Sequence, residues 1–475
     1  MTIQGKITKA SNPFLTGNYA PVMDEHVSPC LEIEGEIPRD LNGSFLRIGP
    51  NPVFVPDVET YHIFDGDGMI HAVQFEDGKA TYRNRFVDTE GLRLERAKGA
   101  WIWKGMASMA DLVKGVPPPA EGMFKNTANT AMVYHNNTLY ALMEAAPPHA
   151  IQLPDLATIG EHTFGGKLSH PFTAHPKVDA VTGEMMTFGY SPFEPFLTYS
   201  VVDAKGEIVH TTPITMPKGV MMHDCAITEH HTVFLDMPIT FDLGRAMKGG
   251  LMLDWEPENG SRLGVVPRFG GDKDVKWFDV ATSMVFHVSN AWEDGDEIIV
   301  QGSRSMRTDI SRATENAGHQ DGATDQLGQL YEWRLNMRTG AVKEGHLDTA
   351  NHCDFTRIND DLCGRKTRFT YAARFDPKHP MTPFDAALKY DDSTGKVQIH
   401  ALGAGRFGGE GVFAKRAGAT SEDDGYVITF VWDETLGQSE CLIIDAKDFE
   451  GAPVAKIRIP HRVPFGFHAG WVPAA

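Results

Sequence analysis

Short apolar segments alternate with turn signals from one end of the chain to the other. AVQFEDGKATYRNRFV, TAMVYHNNTLYALM and VDAVTGEMMTFGY each read as strand, turn, strand. The same grammar continues in AWEDGDEIIVQG, YEWRLNMRTGAVKEG, LKYDDSTGKVQIHAL and EDDGYVITFVWDETLGQSECLIIDA. Asp77-Gly78, Thr182-Gly183, Asp294-Gly295, Thr339-Gly340, Thr394-Gly395 and Asp424-Gly425 supply the positive φ that tight hairpins demand between β-rich flanks. Hairpin follows hairpin without a break, so the pattern predicts an all-β fold forming one domain over residues 1–475. Two stretches depart from it. Residues 104–123 and 241–254 space Met, Leu and Val as short amphipathic helices do, which on a β scaffold form a cap over one face. The insertions carrying them are placed near 90–125 and 240–256. Two readings stay open for them: ordinary surface helices packed on the sheet, or a patch making peripheral contact with a membrane.

Four histidines lie in apolar strand-like segments far apart in the chain: His175 in FTAHPK, His223 in MMHDCAI, His287 in VFHVSNAW and His468 in FGFHAGWV. Imidazole is the commonest protein metal ligand, and ligands from four distant segments require a fold that converges strands on one axis. A β-propeller does so, because the innermost strand of each blade lines a central channel. The histidines are 48, 64 and 181 residues apart, which corresponds to one blade, one blade and about three. Neutral nitrogen ligands leave the full dipositive charge on a metal, so nearby carboxylates are needed to orient the rings and offset that charge. Glu144 in LYALMEAAPP, Asp354 in NHCDFTRI and Glu410 in FGGEGVFAK are the candidates, each an acid beside apolar residues. The combination points to iron and dioxygen.

Composition removes some alternatives. With 41% hydrophobic and 23% charged residues the chain is of the globular type. A net charge of -19, with no basic run interleaved with aromatics, argues against a nucleic-acid partner. Five cysteines, odd in number and without a CxxC pair, suit a reducing compartment and buried free thiols. The first residues lack the apolar core of a signal peptide, and no stretch approaches the about eighteen apolar residues of a spanning helix, so a cytoplasmic protein is expected. A monomer or weak homo-oligomer is the expected state. Gly403, Gly405 and Gly408 satisfy GxGxxG, but the run FGGEGVFAKR does not read as the helix a dinucleotide site needs. His352 and Asp354 form an H-x-D pair of the two-histidine, one-carboxylate iron type, the main rival metal assignment. The DGDG run at Asp65–Gly68 reads as a turn, since the remaining calcium-loop ligands are missing.

Tyr61 to Val73, YHIFDGDGMIHAV, preceded by IPRDLNGSFLRIGPNP, resembles the hallmark segment of the carotenoid cleavage oxygenases. NTANT at Asn126 to Thr130, FTAHPKVD, MMHDCAIT and PHRVPFGFHAGWV agree with that family in order, so the resemblance covers nearly the whole chain. It implies a seven-bladed propeller, with Fe(2+) on its axis held by His175, His223, His287 and His468. It also implies that Glu144 serves His223, Asp354 serves His287 and Glu410 serves His468, and that the methyl group of Thr130 crowds an otherwise open coordination position. Most members carry Glu where this chain has Asp354, which sets the carboxylate roughly 1.5 Å further from its histidine unless the backbone shifts or a water bridges. The implied activity is oxidative scission of a carbon-carbon double bond by dioxygen into two carbonyl products.

For the substrate, Met143 stands where the stilbene- and phenylpropene-cleaving branch carries a phenol-binding lysine, and no tyrosine accompanies Trp101 and Trp103. A buried phenol without such partners loses about 1–3 kcal/mol per missing hydrogen bond. An apolar polyene suits the site better, and GMFKNTANTAMVYH and KLSHPFTAHPKVD are especially similar to plant-type enzymes cutting carotenoids and apocarotenoids at the 9,10 bond. Phe54, Trp103, Met143 and Phe286 are the candidate tunnel residues. The alternatives kept are a stilbene or phenylpropene oxygenase on the same fold, a non-catalytic binding scaffold, and an isomerase or metal-dependent hydrolase.

Overall fold

In the computed structural model the described residues are 12–54, 58, 61–103, 105, 125–248, 252–308, 324–379, 381 and 383–474. Their hairpins assemble into seven antiparallel sheets of four to six strands, the blades of a β-propeller, together with one two-stranded ribbon. Blade 1 is built from Gly43–Pro50, Gly68–Glu76 and Lys79–Phe86, blade 2 from strands between Ala131 and Glu161, and blade 3 from those between Lys177 and Ile214. Blade 4 runs from Cys225 to Val280, blade 5 from Met284 to His346, blade 6 from Cys353 to Ala401, and blade 7 from Arg406 to Ile459.

The ring closes through its ends. Ala469–Pro473 leaves blade 7 and pairs with Gly43–Pro50 of blade 1, while Glu32–Gly35 pairs with Ala455–Ile459 of blade 7. Two strand edges that would otherwise expose unpaired N–H and C=O groups are thereby covered. Phe45, Val73, Tyr82, Tyr426, Ile428, Ile443 and Ile457 form one buried cluster across this junction. Each such side chain contributes about 1.5–3 kcal/mol relative to exposure, so the closure is held by apolar packing as well as by ladders.

Five of the six expected hairpin glycines are in place: Gly78, Gly183, Gly295, Gly340 and Gly395 all have positive φ. Asp424-Gly425 is a correction. Gly425 is the first residue of Gly425–Asp433, paired with Lys415, and its lack of a side chain serves close approach, since a Cβ there would press on the Ala414 carbonyl oxygen. The GxGxxG run is a turn at Gly403 and Gly405, followed by the short strand Arg406–Phe407.

The cap is only partly within view. Helix α1, Glu90–Lys98, is capped by the Thr89 hydroxyl on the Leu92 N–H and ends at Gly99 with φ 66°. The expected segment 104–123 lies outside the described residues apart from Gly105. The second expected helical stretch is shorter than its pattern suggested: α2 covers only Leu243–Met247, at the tip of a ribbon formed by Ile239–Phe241 and Leu253–Trp255. Ribbon pairing on both sides takes up the β-prone flanks. All five cysteines are free thiols; Cys225, Cys353 and Cys441 are buried as expected, Cys363 is half-buried, and Cys30 is exposed, against expectation. Among the described residues no helix is long and apolar enough to cross a membrane.

The strands that position the site are the leading strands of the blades: Ala469–Pro473, Ala131–His135, Lys177–Val178, Cys225–Ile227, Met284–Asp294, Cys353–Arg357 and Val412–Lys415. Each lies at one end of its blade's strand order or beside it, and contacts between leading strands of adjacent blades set them around a common axis. His468, Thr130, His175, His223, His287, Asp354 and Glu410 all stand at or near the beginnings of these seven strands.

Candidate metal centre

At the axis the four imidazoles converge. Nε2 of His223 is 3.1 Å from Nε2 of His175 and 3.2 Å from Nε2 of His287, and one ligating atom from each of the four rings lies within 4.8 Å of all the others. All four residues are buried. Two nitrogens bound side by side to one ion at about 2.1 Å stand about 3 Å apart, and opposed ones about 4.2 Å, so the set has the span of a single mononuclear site.

Hydrogen bonding on the far side of the rings sets their tautomers. Nδ1 of His287 meets Oδ1 of Asp354 at 2.9 Å, Nδ1 of His468 meets Oε1 of Glu410 at 3.2 Å, and Nδ1 of His223 is hydrogen-bonded to Oε1 of Glu144. A carboxylate accepting from Nδ1 leaves the lone pair on Nε2. Lone pairs facing one another at about 3 Å in a buried site oppose each other unless a cation lies among them, so this donor set fits a bound metal ion. Among the described residues no carboxylate bonds the fourth ring, His175.

Local backbone irregularity aims these side chains. His287 sits within the register shift between Val285 and Val288 in Met284–Asp294, and Asp354 begins a shift in Cys353–Arg357 where Phe355 takes φ 52°. Bulges re-aim side chains at the rims of β structures. The bulge at Asp354 answers the missing methylene: the expected longer separation is not found, and the shorter acid reaches its histidine directly. Blade order explains the pairing of acid and ring. Blades 6 and 7 stand between the blades carrying His287 and His468, and each sends its carboxylate to the neighbouring imidazole.

Electrostatics follow burial and contact. Burial holds His175 well below the usual imidazole range, aided by the other three rings. Burial also lowers His468, outweighing the pull of Glu410. In His287 burial works the same way, but the charge and hydrogen bond of Asp354 overcome it and raise the pKa. Burial alone would raise the Glu410 carboxyl; His468 and Arg357 bring it down to about 2, with the Ala469 N–H donating to its second oxygen at 2.5 Å.

The remaining candidates are dispersed. Thr130 donates its hydroxyl to Oδ1 of Asn129 at 3.0 Å. Phe286 stands edge-on to His223 with ring centroids 5.4 Å apart. Met143 accepts the Thr127 N–H on its sulfur, Trp103 is buried, and Phe54 is half-buried, with no contact to the histidines shown for these three. Among the described residues His352 is not part of the histidine cluster, and the Asp354 carboxylate is turned to Nδ1 of His287, so the metal-ligand grouping found is the four-histidine one and not the H-x-D pair. Asp65 caps a short turn at Ile63–Asp65, as the DGDG reading expected. Sequence reasoning missed Phe355, whose ring lies 5.3 Å from His287 and 4.9 Å from His468, and Tyr190, whose hydroxyl donates to Oε2 of Glu144 at 2.7 Å. Adjacency to Asp354 could have flagged Phe355. Nothing local marks Tyr190, which reaches Glu144 across 46 residues.

A seven-bladed propeller with a buried four-histidine centre, three of its rings held by carboxylates, defines a class of mononuclear metalloenzyme. The sequence places the chain within it. Residues 19–473 match the retinal pigment epithelial membrane protein family, and the chain belongs to this family of carotenoid cleavage oxygenases. It is 39% identical to the carotenoid 9,10(9',10')-cleavage dioxygenase of Crocus sativus, covering 97% of this chain and 89% of that one. The crystal structure of Pseudomonas brassicacearum lignostilbene dioxygenase superposes with a TM-score of 0.89 at 29% identity, covering 99% of this chain and 100% of that one. Cobalt-substituted Synechocystis apocarotenoid oxygenase gives 0.83 at 28% identity, over 96% and 97% of the two chains.

Proposed function

We propose that this protein is a non-haem iron(II) dioxygenase that splits a carbon-carbon double bond of a carotenoid or apocarotenoid into two carbonyl products. The observation that carries the reading is the convergence of His175, His223, His287 and His468 within one ion's span. When bound there, a ferrous ion supplies the redox-active centre at which dioxygen and an alkene react. Both oxygen atoms are consumed, one entering each carbonyl, so no further reductant is required.

The chain's own residues supply orientation and exclusion. Glu144, Asp354 and Glu410 retain the Nδ1 protons of their partner rings, which fixes the direction of each Nε2 lone pair and offsets the buried positive charge. Thr130, its hydroxyl committed to Asn129, is assigned to crowd one remaining coordination position with its methyl group. Phe286 and Phe355 make the neighbourhood of the rings apolar, and Trp103, Met143 and Phe54 are assigned to the approach taken by the polyene. Met143 beside Glu144 offers a phenol no cationic partner, which favours the polyene over the stilbene reading. Similarity to the Crocus sativus enzyme supports the same choice.

The test is incubation of iron-loaded protein under oxygen-18 gas with an apocarotenal, a bicyclic carotenoid, resveratrol and isoeugenol. Cleavage of a polyene with label in both aldehydes is expected. Cleavage of the phenolic compounds alone would transfer the assignment to a stilbene oxygenase, and products without label would remove the dioxygenase reading.

A further inference from the structure

The metal centre has two unlike faces. On one, Phe286 and Phe355 pack their rings against the imidazoles. On the other, His175, His287 and His468 head a cavity of about 390 Å³ that follows the leading strands toward their far ends. Neither phenylalanine lines it. The cavity's wall includes Asp360 and Asp361, both exposed, so it reaches solvent.

We propose that this axial cavity is the path by which the divalent metal ion reaches the four histidines. The proposal rests on the four-histidine metal reading and adds the direction of loading. Stripping a dication of water against an aromatic wall is costly, whereas carboxylates and hydroxyls set among the apolar residues of this cavity can replace part of that water. Asp224, Asp360, Asp361 and Glu410 line the cavity against two cations, Lys177 and Arg357. Both cations are already engaged, Lys177 with Asp224 at 2.6 Å and Arg357 with Asp360 at 2.7 Å. Four carboxylates against two cations leave a net negative wall: Glu410 beside the rings shares Arg357 with Asp360, at 3.7 Å, and Asp361 at the surface meets Lys415 in an exposed pair that holds little. Two further wall residues, Ser289 and Thr356, have buried hydroxyl oxygens with no hydrogen-bond partner among the described residues. Buried hydroxyls in this position are normally satisfied by water, which makes the passage a hydrated one. A cleft with a net negative charge raises the local concentration of cations and their rate of arrival.

Gly470 offers a way to obstruct it. This residue lines the cavity on Ala469–Pro473, and a Cβ built there meets nothing within 4 Å, so a larger side chain fits into free space. Metal-free wild-type, Gly470→Leu and Asp361→Lys proteins are mixed with Co2+, and the rise of cobalt absorbance is followed by stopped flow. Final stoichiometry is measured by elemental analysis. Both variants should load about tenfold more slowly, Asp361→Lys chiefly at low salt, while still ending with one equivalent bound. Loading of Gly470→Leu at the wild-type rate overturns the proposal. Where Gly470→Leu does not fold, loading of Asp361→Lys at the wild-type rate at low salt does the same. A wild-type chain that takes up no cobalt contradicts the metal reading itself, and is thereby distinguished from a metal that enters by another path.

Discussion

Asp354 stands where the family resemblance leads one to expect a glutamate, and it still reaches its histidine. Its side chain is one methylene short, yet the bulge at its strand and the left-handed Phe355 bring it to 2.9 Å from His287. Asp354→Ala should therefore weaken metal affinity by about 10–100-fold, as removal of such outer partners typically does, measured by competition with a chelator. Glu410 makes a different prediction. Its folded pKa, near 2, lies below the ordinary 4.5, so its contribution to stability is complete above the ordinary value and disappears as pH falls toward 2. Melting temperatures recorded between pH 5 and pH 2 should fall for the wild type, and the fall should be shallower for Glu410→Gln. The histidines stood out in the sequence by their apolar settings, whereas Glu144, Asp354 and Glu410 were only candidates there and took their pairing with the rings from the family resemblance. Phe355 and Tyr190 were not legible, because ring packing and a hydroxyl contact across the fold leave no local trace.

At the scale of elements, the alternation of apolar and polar positions read the hairpins well because period two and turn glycine are both local properties. It failed at Gly425, where the residue answers a neighbouring strand. Gly425→Ala should cost about 1–3 kcal/mol in urea unfolding, since the new methyl group is forced against the backbone of Ala414 and the ring of Phe413. The ribbon around α2 was also hidden from pattern: Leu243–Met247 is helical for barely more than a turn, and pairing of its flanks decides the rest. The bulges that aim His287 and Asp354 were equally invisible, because a register shift belongs to the pair of strands.

The whole molecule was legible as a propeller from its serial hairpins and the spacing of its histidines, and its seven blades from the family resemblance. The gaps of one, one and three blades between successive histidines are those observed, since His175, His223, His287 and His468 belong to blades 3, 4, 5 and 1. What spacing could not supply is how the ring shuts. A chain ending at His468 retains every histidine but loses Ala469–Pro473 and its ladder to Gly43–Pro50. Such a chain should melt at a lower temperature and over a broader range than the 475-residue chain, as followed by calorimetry.

His468 comes immediately before the strand that joins the two ends of the chain. Three imidazoles belong to blades 3, 4 and 5, but the fourth is set in place by the contact that completes the circle. Closure of the ring and completion of the histidine set are therefore one event: whatever loosens the ladder between Ala469–Pro473 and Gly43–Pro50 also withdraws one imidazole from the other three.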